Sequence, residues 1–265
     1  MTDLPDLPAL ERHQALRKKI RAADPCLGLF VKSAAPTIVE TLGGCGLDFI
    51  AFDAEHNAYD RGTLDHCLLA ARSVALPALV RVPEATGPAV MQALDMGAAG
   101  IIAPHIRTAA DARALAAASR YQGGSRGFSP SHRAGGYGRL GLSEYRDKSD
   151  EAAITIAQIE DAEAVEAADA IMAVEHLDAV LIGPVDLANA LGCDSANDRP
   201  VRAAIDGIRA AGRRAGRTVG QFFGNATPVA EARENGIALF MIATELSLLA
   251  GAAKALSTDF RGALT

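Results

Sequence analysis

Eight short apolar runs recur along the chain, each separated from the next by a stretch with helical patterning. They are Cys26–Val31, Asp48–Asp53, Pro77–Val82, Gly100–Pro104, Ile154–Glu160, Ala179–Gly183, Thr218–Phe223 and Ile237–Ala243. Nearly every residue in them is apolar and many are β-branched, as in strands buried on both faces. The intervening stretches, Thr37–Gly43, Gly62–Val74, Gly87–Met96, Thr108–Arg120, Asp161–Val174, Val201–Ala211 and Pro228–Asn235, are mostly Ala-rich. Gly97, Gly212 and Gly236 fall where helix C-caps are expected, and Thr108 and Asp161 where N-caps are. Strict alternation of this kind implies a parallel sheet. With eight units in 265 residues, it predicts a closed (β/α)8 barrel, a fold of about 250 residues, over residues 1–265 as one domain. An open doubly wound sheet would carry a Gly-rich turn after its first strand. Here Val31 is followed by Lys32-Ser33-Ala34-Ala35-Pro36, which is no dinucleotide fingerprint.

Two segments break the alternation. Residues 1–24 carry Pro5 and Pro8 and then a helical Ala9–Ala22 with a basic face, expected to cross the bottom of the barrel. Residues Gly123–Asp150 read as a long Gly/Ser/Arg-rich connection, and connections of that length inside a compact domain are usually functional or mobile. Neither a domain linker nor a repeat beyond the βα unit is visible.

Composition narrows the partners. A net charge of −6 argues against nucleic acid or an anionic membrane, and aromatic residues at 5% with no Trp leave few stacking platforms. Cys26, Cys45, Cys67 and Cys193 are scattered without a CxxC pair, which disfavours a zinc ribbon or a thiol–disulfide motif. No signal-peptide pattern and no run of about 18 apolar residues occur, so a cytoplasmic protein is expected.

A barrel of this kind places its chemistry at the C-terminal ends of its strands. Those ends read Asp53-Ala54-Glu55-His56 after the second strand, Arg81 at the third, Pro104-His105 at the fourth, Gln158-Ile159-Glu160 at the fifth and Gly183-Pro184-Val185-Asp186 at the sixth. Glu160 and Asp186 lie on successive strands, where they can converge on a hard cation; they can equally cap or salt-bridge neighbouring helices. His56 is suited to proton transfer, or else is a rim histidine bound to Asp53 or Asp60. Arg81, at the end of an apolar strand, must meet an anion, from the protein or from a substrate. His105, with no carboxylate beside it in sequence, reads as structural or supporting. His13, His66, His132 and His176 read as solvated. Among only five lysines, Lys32 alone lies near a strand end, which makes a Schiff-base lysine improbable and favours metal-assisted carbonyl chemistry.

The segments FDAEH (52–56), LVRVP (79–83), ALDMGAAGIIAPHI (93–106), AQIED (157–161) and LIGPVDLANALG (181–192) resemble, in that order, the HpcH/HpaI aldolases, metal-dependent pyruvate aldolases of the phosphoenolpyruvate/pyruvate barrel superfamily. The resemblance implies a TIM barrel and a divalent cation (Mg²⁺, Mn²⁺ or Co²⁺) held by Glu160 and Asp186. It implies pyruvate contacts from Arg81, Gln158 and the backbone of Gly183, Pro184 and Val185, and a base, His56, paired with Asp95. Asp53 and Glu55 would stand around the metal-bound water. The implied reaction cleaves or forms a 4-hydroxy-2-oxo acid, giving pyruvate and an aldehyde through a metal-bound enolate. One departure is Arg126–Gly138, which should face the aldehyde half. Arg133 and Ser129 there suggest a polar or anionic tail.

Two other functions compete: a lyase acting on a 3-hydroxyacyl-CoA, as in the citrate-lyase β and malyl-CoA lyase group, and a silent keto-acid-binding barrel. The first lacks an evident basic groove for CoA phosphates; the second would require loss of a ligand or base. The apolar segment Thr244–Leu256 is expected either to close the barrel or to pack on a neighbour. The resemblance implies its exchange between subunits in a dimer-based hexamer.

Overall fold

A computed structural model describes residues 7–264. Pro5 and the chain start lie outside the described residues. The chain runs α1 (Leu7–Arg21), β1 (Cys26–Val31), α2 (Pro36–Leu42), β2 (Phe49–Asp53), α3 (Arg61–Ser73), β3 (Ala78–Arg81), α4 (Gly87–Asp95), β4 (Gly100–Ala103) and α5 (Ala109–Ala118). It continues with α6 (Leu142–Ala152), β5 (Ile154–Ile159), α7 (Ala162–Glu166), α8 (Ala168–Met172), β6 (Ala179–Ile182), α9 (Pro184–Ala190), α10 (Arg199–Ala215), β7 (Thr218–Phe223), α11 (Val229–Glu234), β8 (Ile237–Thr244) and α12 (Glu245–Gly262). The eight strands pair in parallel in sequence order, and β1 closes on β8. The predicted (β/α)8 barrel is therefore the observed fold.

Side-chain parity along the strands separates two cores. Leu29, Val31, Ile50, Phe52, Val80 and Ile159 point outward into the layer between barrel and helices. Cys26, Phe30, Phe49, Ala51, Leu79, Ile154, Ile156, Ala179 and Leu181 point inward, and Leu16 and Ile20 of α1 close the bottom of that inner core. Burying each of the two α1 side chains contributes about 1.5–3 kcal/mol. The Thr218 hydroxyl donates to the Ile20 carbonyl at 2.5 Å, tying α1 to the start of β7. The helix expected across the floor is there.

Several boundaries differ from expectation. The helix over Asp161–Val174 is two short ones, because Ala167 at φ −88°, ψ 3° ends α7 and starts α8. Gly212 is not a cap but lies inside α10, where a Cβ would come within 2.2 Å of Val219; the left-handed cap is Gly216 at φ +60°. The long connection after α5 contains a 3-10 turn, Arg133–Gly138, and the helix α6. The inward positions of α6 are Tyr145, Ser149 and Ala152, helically spaced but only partly aliphatic, which hid its amphipathic pattern. The segment after Gly183 is the helix α9, started by Pro184. Among the described residues, no helix is long and apolar enough to cross a membrane.

Candidate active site

The inward parity that fills the barrel with Phe49 and Ala51 brings Asp53 to the mouth, and likewise Leu79 leads to Arg81, Ile154 and Ile156 to Gln158 and Glu160, and Leu181 to Gly183. The polar residues of the strand ends thus share one opening. A cavity of about 270 Å³ there is lined by residues that include His56, Arg81, Gln158, Gly183 and Asp186.

Asp53 is fully buried. Its Oδ1 accepts from Arg81 Nε at 3.0 Å, with Arg81 Nη2 at 2.7 Å, and its Oδ2 accepts from Asn57 at 2.7 Å. Arg81 also lies 3.2 Å from Glu55 Oε2 and 4.7 Å above the Phe30 ring. The protein itself therefore pairs Arg81, and the guanidinium edge still borders the cavity. Burial raises the Glu55 carboxyl above its ordinary range against the pull of Arg81, His56 and His105, and Asp53 adds to the rise.

Glu160 is 2% exposed. One oxygen accepts from the His105 backbone N–H at 3.0 Å, and the other accepts from the Gln158 amide. Burial pushes this carboxyl up, the two hydrogen bonds and His105 draw it back, and the charge of Asp186 pushes it up again. Asp186, in the first turn of α9, makes no hydrogen bond or ion pair with the described residues. Two further observations fit a hard cation beside these two carboxylates. The Gln158 Oε1 is buried without a partner among the described residues. A Cβ on Gly183 would sit 2.7 Å from Glu160 Oε2, so only glycine leaves that oxygen open. The ligand atoms that gather within 4.8 Å of one another are those of Glu55, His105 and Glu160, a group that shares Glu160 but does not include Asp186.

His105 departs from the sequence reading. It holds φ +52°, uncommon for a residue with a side chain, and this turns its ring among acids. Nδ1 lies 3.0 Å from Asp161 and 3.6 Å from Glu160, and Nε2 lies 3.6 Å from Glu55. Burial works against its protonation, yet the Asp161 hydrogen bond and the charges of Glu160, Asp161 and Glu55 hold the imidazole above its ordinary value. Asp161, expected to cap α7, spends its carboxylate on His105 and Arg107 instead. The signal available in sequence was the Glu160-Asp161 pair on the strand next to His105.

His56 stands exposed on the rim, Nε2 3.6 Å from Glu55 and its backbone N–H donating to Asp53 at 3.3 Å; Asp60 is taken up in capping α3 through Thr63 N–H. Asp95 does not join it. It ends α4, at the opposite end of the barrel, and its carboxylate binds Arg126 at 2.7 Å and His132 at 3.2 Å. The expected His56–Asp95 pair is not formed within one chain. His132, expected to be solvated, is mostly buried there. Arg133 is also a floor residue: its fork grips the Asp65 carboxylate with both bonds at 2.7 Å and the Met96 carbonyl at 3.0 Å, so it does not face the mouth of its own barrel. His66 and His176 are exposed, as expected.

Comparison with known proteins agrees with this geometry. Residues 26–252 match the family model HpcH/HpaI aldolase/citrate lyase. The chain is 34% identical over 207 residues to a 2-keto-3-deoxy-L-rhamnonate aldolase of Salmonella schwarzengrund, covering 76% of this chain and 77% of that one. Its fold matches an HpcH/HpaI aldolase/citrate lyase family protein of Burkholderia cenocepacia J2315 with TM-score 0.89 at 29% identity, over 94% of this chain and 99% of the other. It also matches an HpcH/HpaI aldolase of Desulfitobacterium hafniense DCB-2, with TM-score 0.83 at 28% identity, over 91% and 95%. With the strand-end acids gathered at one mouth and most of its length covered by these matches, the chain belongs to the HpcH/HpaI aldolase/citrate lyase family and is a carbon–carbon lyase.

Proposed function

We propose that the chain is a divalent-metal-dependent aldolase that cleaves or forms a 4-hydroxy-2-oxo acid, with pyruvate and an aldehyde as the other partners. The observation that carries this reading is the buried Glu160 beside Asp186, next to the opening kept by Gly183 and bordered by Arg81. Glu160 and Asp186 are the ligands we assign. Asp186 has no competing partner, whereas His105 is hydrogen-bonded to Asp161, and Glu55 Oε2 lies 3.2 Å from Arg81 without a hydrogen bond. A bound Mg²⁺, Mn²⁺ or Co²⁺ would supply a Lewis acid for the 2-keto group.

The residues of the chain then divide the remaining work. At the start of α9 Pro184 has no N–H and Gly183 donates its own to the Ile159 carbonyl, so the Val185 N–H is the donor of this segment for the pyruvate carboxylate, with Gly183 and Pro184 shaping the wall beside it. Gln158, its carbonyl oxygen unpartnered, lines the same side and orients the ligand. As the C3–C4 bond breaks, negative charge grows on the 2-oxygen, and Arg81, held in place by Asp53 and Glu55, stabilises it without rearranging. His56 on the open rim takes the 4-hydroxyl proton, directly or through water. Asp53 and Glu55 order the surrounding water. Asp95 serves a His56 only if a second copy brings its floor to this mouth. Self-association is supported by α12, whose Leu248, Leu249, Leu256 and Phe260 stand 53–72% exposed instead of closing the barrel.

The test is proton NMR of pyruvate in D₂O with the enzyme, added Mg²⁺ and a chelator control. Methyl protons should exchange only when the metal is present. Absence of exchange with any divalent cation would remove the pyruvate reading and bring CoA thioesters forward.

A further inference from the structure

We propose that Lys32 selects the aldehyde half of the substrate by pairing its ammonium with a carboxylate there. The inference rests on the aldolase reading above and adds a specificity-determining residue to it.

Lys32 continues the inward parity of Cys26, Gly28 and Phe30, so its side chain leaves β1 toward the mouth, where it lines the same cavity as Gln158, Gly183 and Asp186. Its backbone is fixed. The buried Glu245 of α12 accepts from Lys32 N–H at 2.9 and 3.0 Å and from Ser33 N–H at 2.6 Å. The Tyr59 hydroxyl shares its one proton between the carbonyls on either side, nearer Ser33 at 2.8 Å than Val31 at 3.1 Å. A clamp of that density on a strand end aims a long, flexible side chain in one direction.

The ammonium itself is left uncommitted. Its nearest anion is Asp53 Oδ2, 3.9 Å away and beyond hydrogen-bond reach. Asp53 takes its hydrogen bonds from Arg81 and Asn57, so Lys32 meets it only as a longer-range ion pair. Among the described residues no acceptor engages the Lys32 Nζ, which is one-third exposed. The wall beneath it is apolar, built by Phe30 and Phe222 with ring centroids 6.0 Å apart, and a charge over such a wall is screened less than one in open water.

Topology decides which half of the substrate it meets. In a closed barrel of eight strands in sequence order, β1 lies across from β5. The pyruvate half sits at the β5 and β6 ends, beside Glu160 and Gly183, so the half that spans the mouth reaches Lys32. Arg81 is engaged by Asp53 and Glu55, so among the described residues lining this cavity Lys32 is the cation placed to meet an acidic tail.

The experiment compares aldol addition of pyruvate to matched aldehydes: glyoxylate against glycolaldehyde, and succinic semialdehyde against butanal. In each pair the first member carries the carboxylate. Wild type should prefer at least one carboxylate-bearing member by kcat/KM, and Lys32→Gln should lower that preference about 10- to 100-fold, the worth of one charge-assisted hydrogen bond. Lys32→Arg should restore most of it, and the melting temperatures of both variants should match wild type. A preference ratio unchanged in Lys32→Gln overturns the assignment, as does a wild type with no preference for either carboxylate. Trapping of a pyruvate imine on Lys32 by borohydride would also overturn it, by making the lysine a nucleophile. Failure of the aldolase reading itself looks different: wild-type enzyme with metal would then not exchange pyruvate protons at all.

Discussion

At the floor of the barrel Arg17 and Asp178 meet at 2.9 Å with side chains 7% and 1% exposed, while at the mouth Glu160 is buried beside a second carboxylate, Asp186. Around Arg17 the floor pairs its charges locally. Arg17 also donates to the carbonyls of Asp150 and Glu151, Asp178 accepts from Thr155 N–H at 2.9 Å, and Arg217 donates to the carbonyls of Met172, Val174 and Leu177. A barrel enzyme gives its lower face to stability and its upper face to chemistry, and the Arg17–Asp178 pair and the Glu160 and Asp186 carboxylates follow that division.

The largest expected effect on stability breaks the floor. Arg17→Met leaves buried Asp178 with Arg21, 3.7 Å away and mostly exposed, as its remaining ion pair, and should cost about 3 kcal/mol of stability while leaving kcat per folded molecule within twofold. Chemical unfolding and active-site titration measure the two quantities. A loss of turnover with unchanged stability would erase the distinction between the ends. The mirror experiment is Glu160→Gln. It should reduce metal-dependent pyruvate exchange about a thousandfold, roughly 4 kcal/mol of barrier. Because it relieves like-charge repulsion, its stability should equal or exceed that of wild type. A variant that unfolds instead would make Glu160 a structural residue.

A smaller effect probes the space between the carboxylates. Gly183→Ala places a methyl 2.7 Å from Glu160 Oε2 and 3.1 Å from Gln158 Nε2. Displacing either should cost about 1–3 kcal/mol, read as a tenfold to hundredfold weaker metal affinity by calorimetry. Unchanged affinity would show that Glu160 is not held at that position for a cation.

The same contrast explains what the sequence discloses. Buried parallel strands announce themselves as apolar runs, and β1 and β7 were legible to the residue. Polar residues at the ends of those runs, Asp53, Arg81, Gln158 and Glu160, carry the inward parity onward, so their convergence at one mouth was legible too. What stayed hidden is contact that no period encodes. His105 reaches its acids through a left-handed backbone, and α6 buries Tyr145 and Ser149 in place of aliphatic residues. Asp95 and Arg133 were read toward the site by motif and loop position, and chain geometry puts both at the floor. Asp95 ends a predicted helix, Arg133 follows one, and both precede strands, so the alternation of connections already assigns them to the floor, and only the motif reading pointed to the mouth.

The subtlest prediction concerns acid at the floor. His13 of α1 lines the narrow cavity there beside Arg12, Arg72 and Arg126, half-buried. Burial, reinforced by the positive charge of Arg12, lowers its pKa from 6.5 to about 4. The unfolded chain therefore takes up a proton near pH 6.5 that the folded chain refuses until about pH 4. The associated stability is fully present above pH 6.5 and is lost progressively as the pH falls through that window. The whole shift would correspond to about 3 kcal/mol at 1.36 kcal/mol per unit, and the partial exposure of the ring reduces it to about 1–2 kcal/mol. His13→Gln removes the titration, so its unfolding free energy should decline less steeply than that of wild type between pH 7 and pH 4. Parallel pH profiles for the two proteins would mean that the ring is solvated, and that acid enters the floor no differently from the mouth.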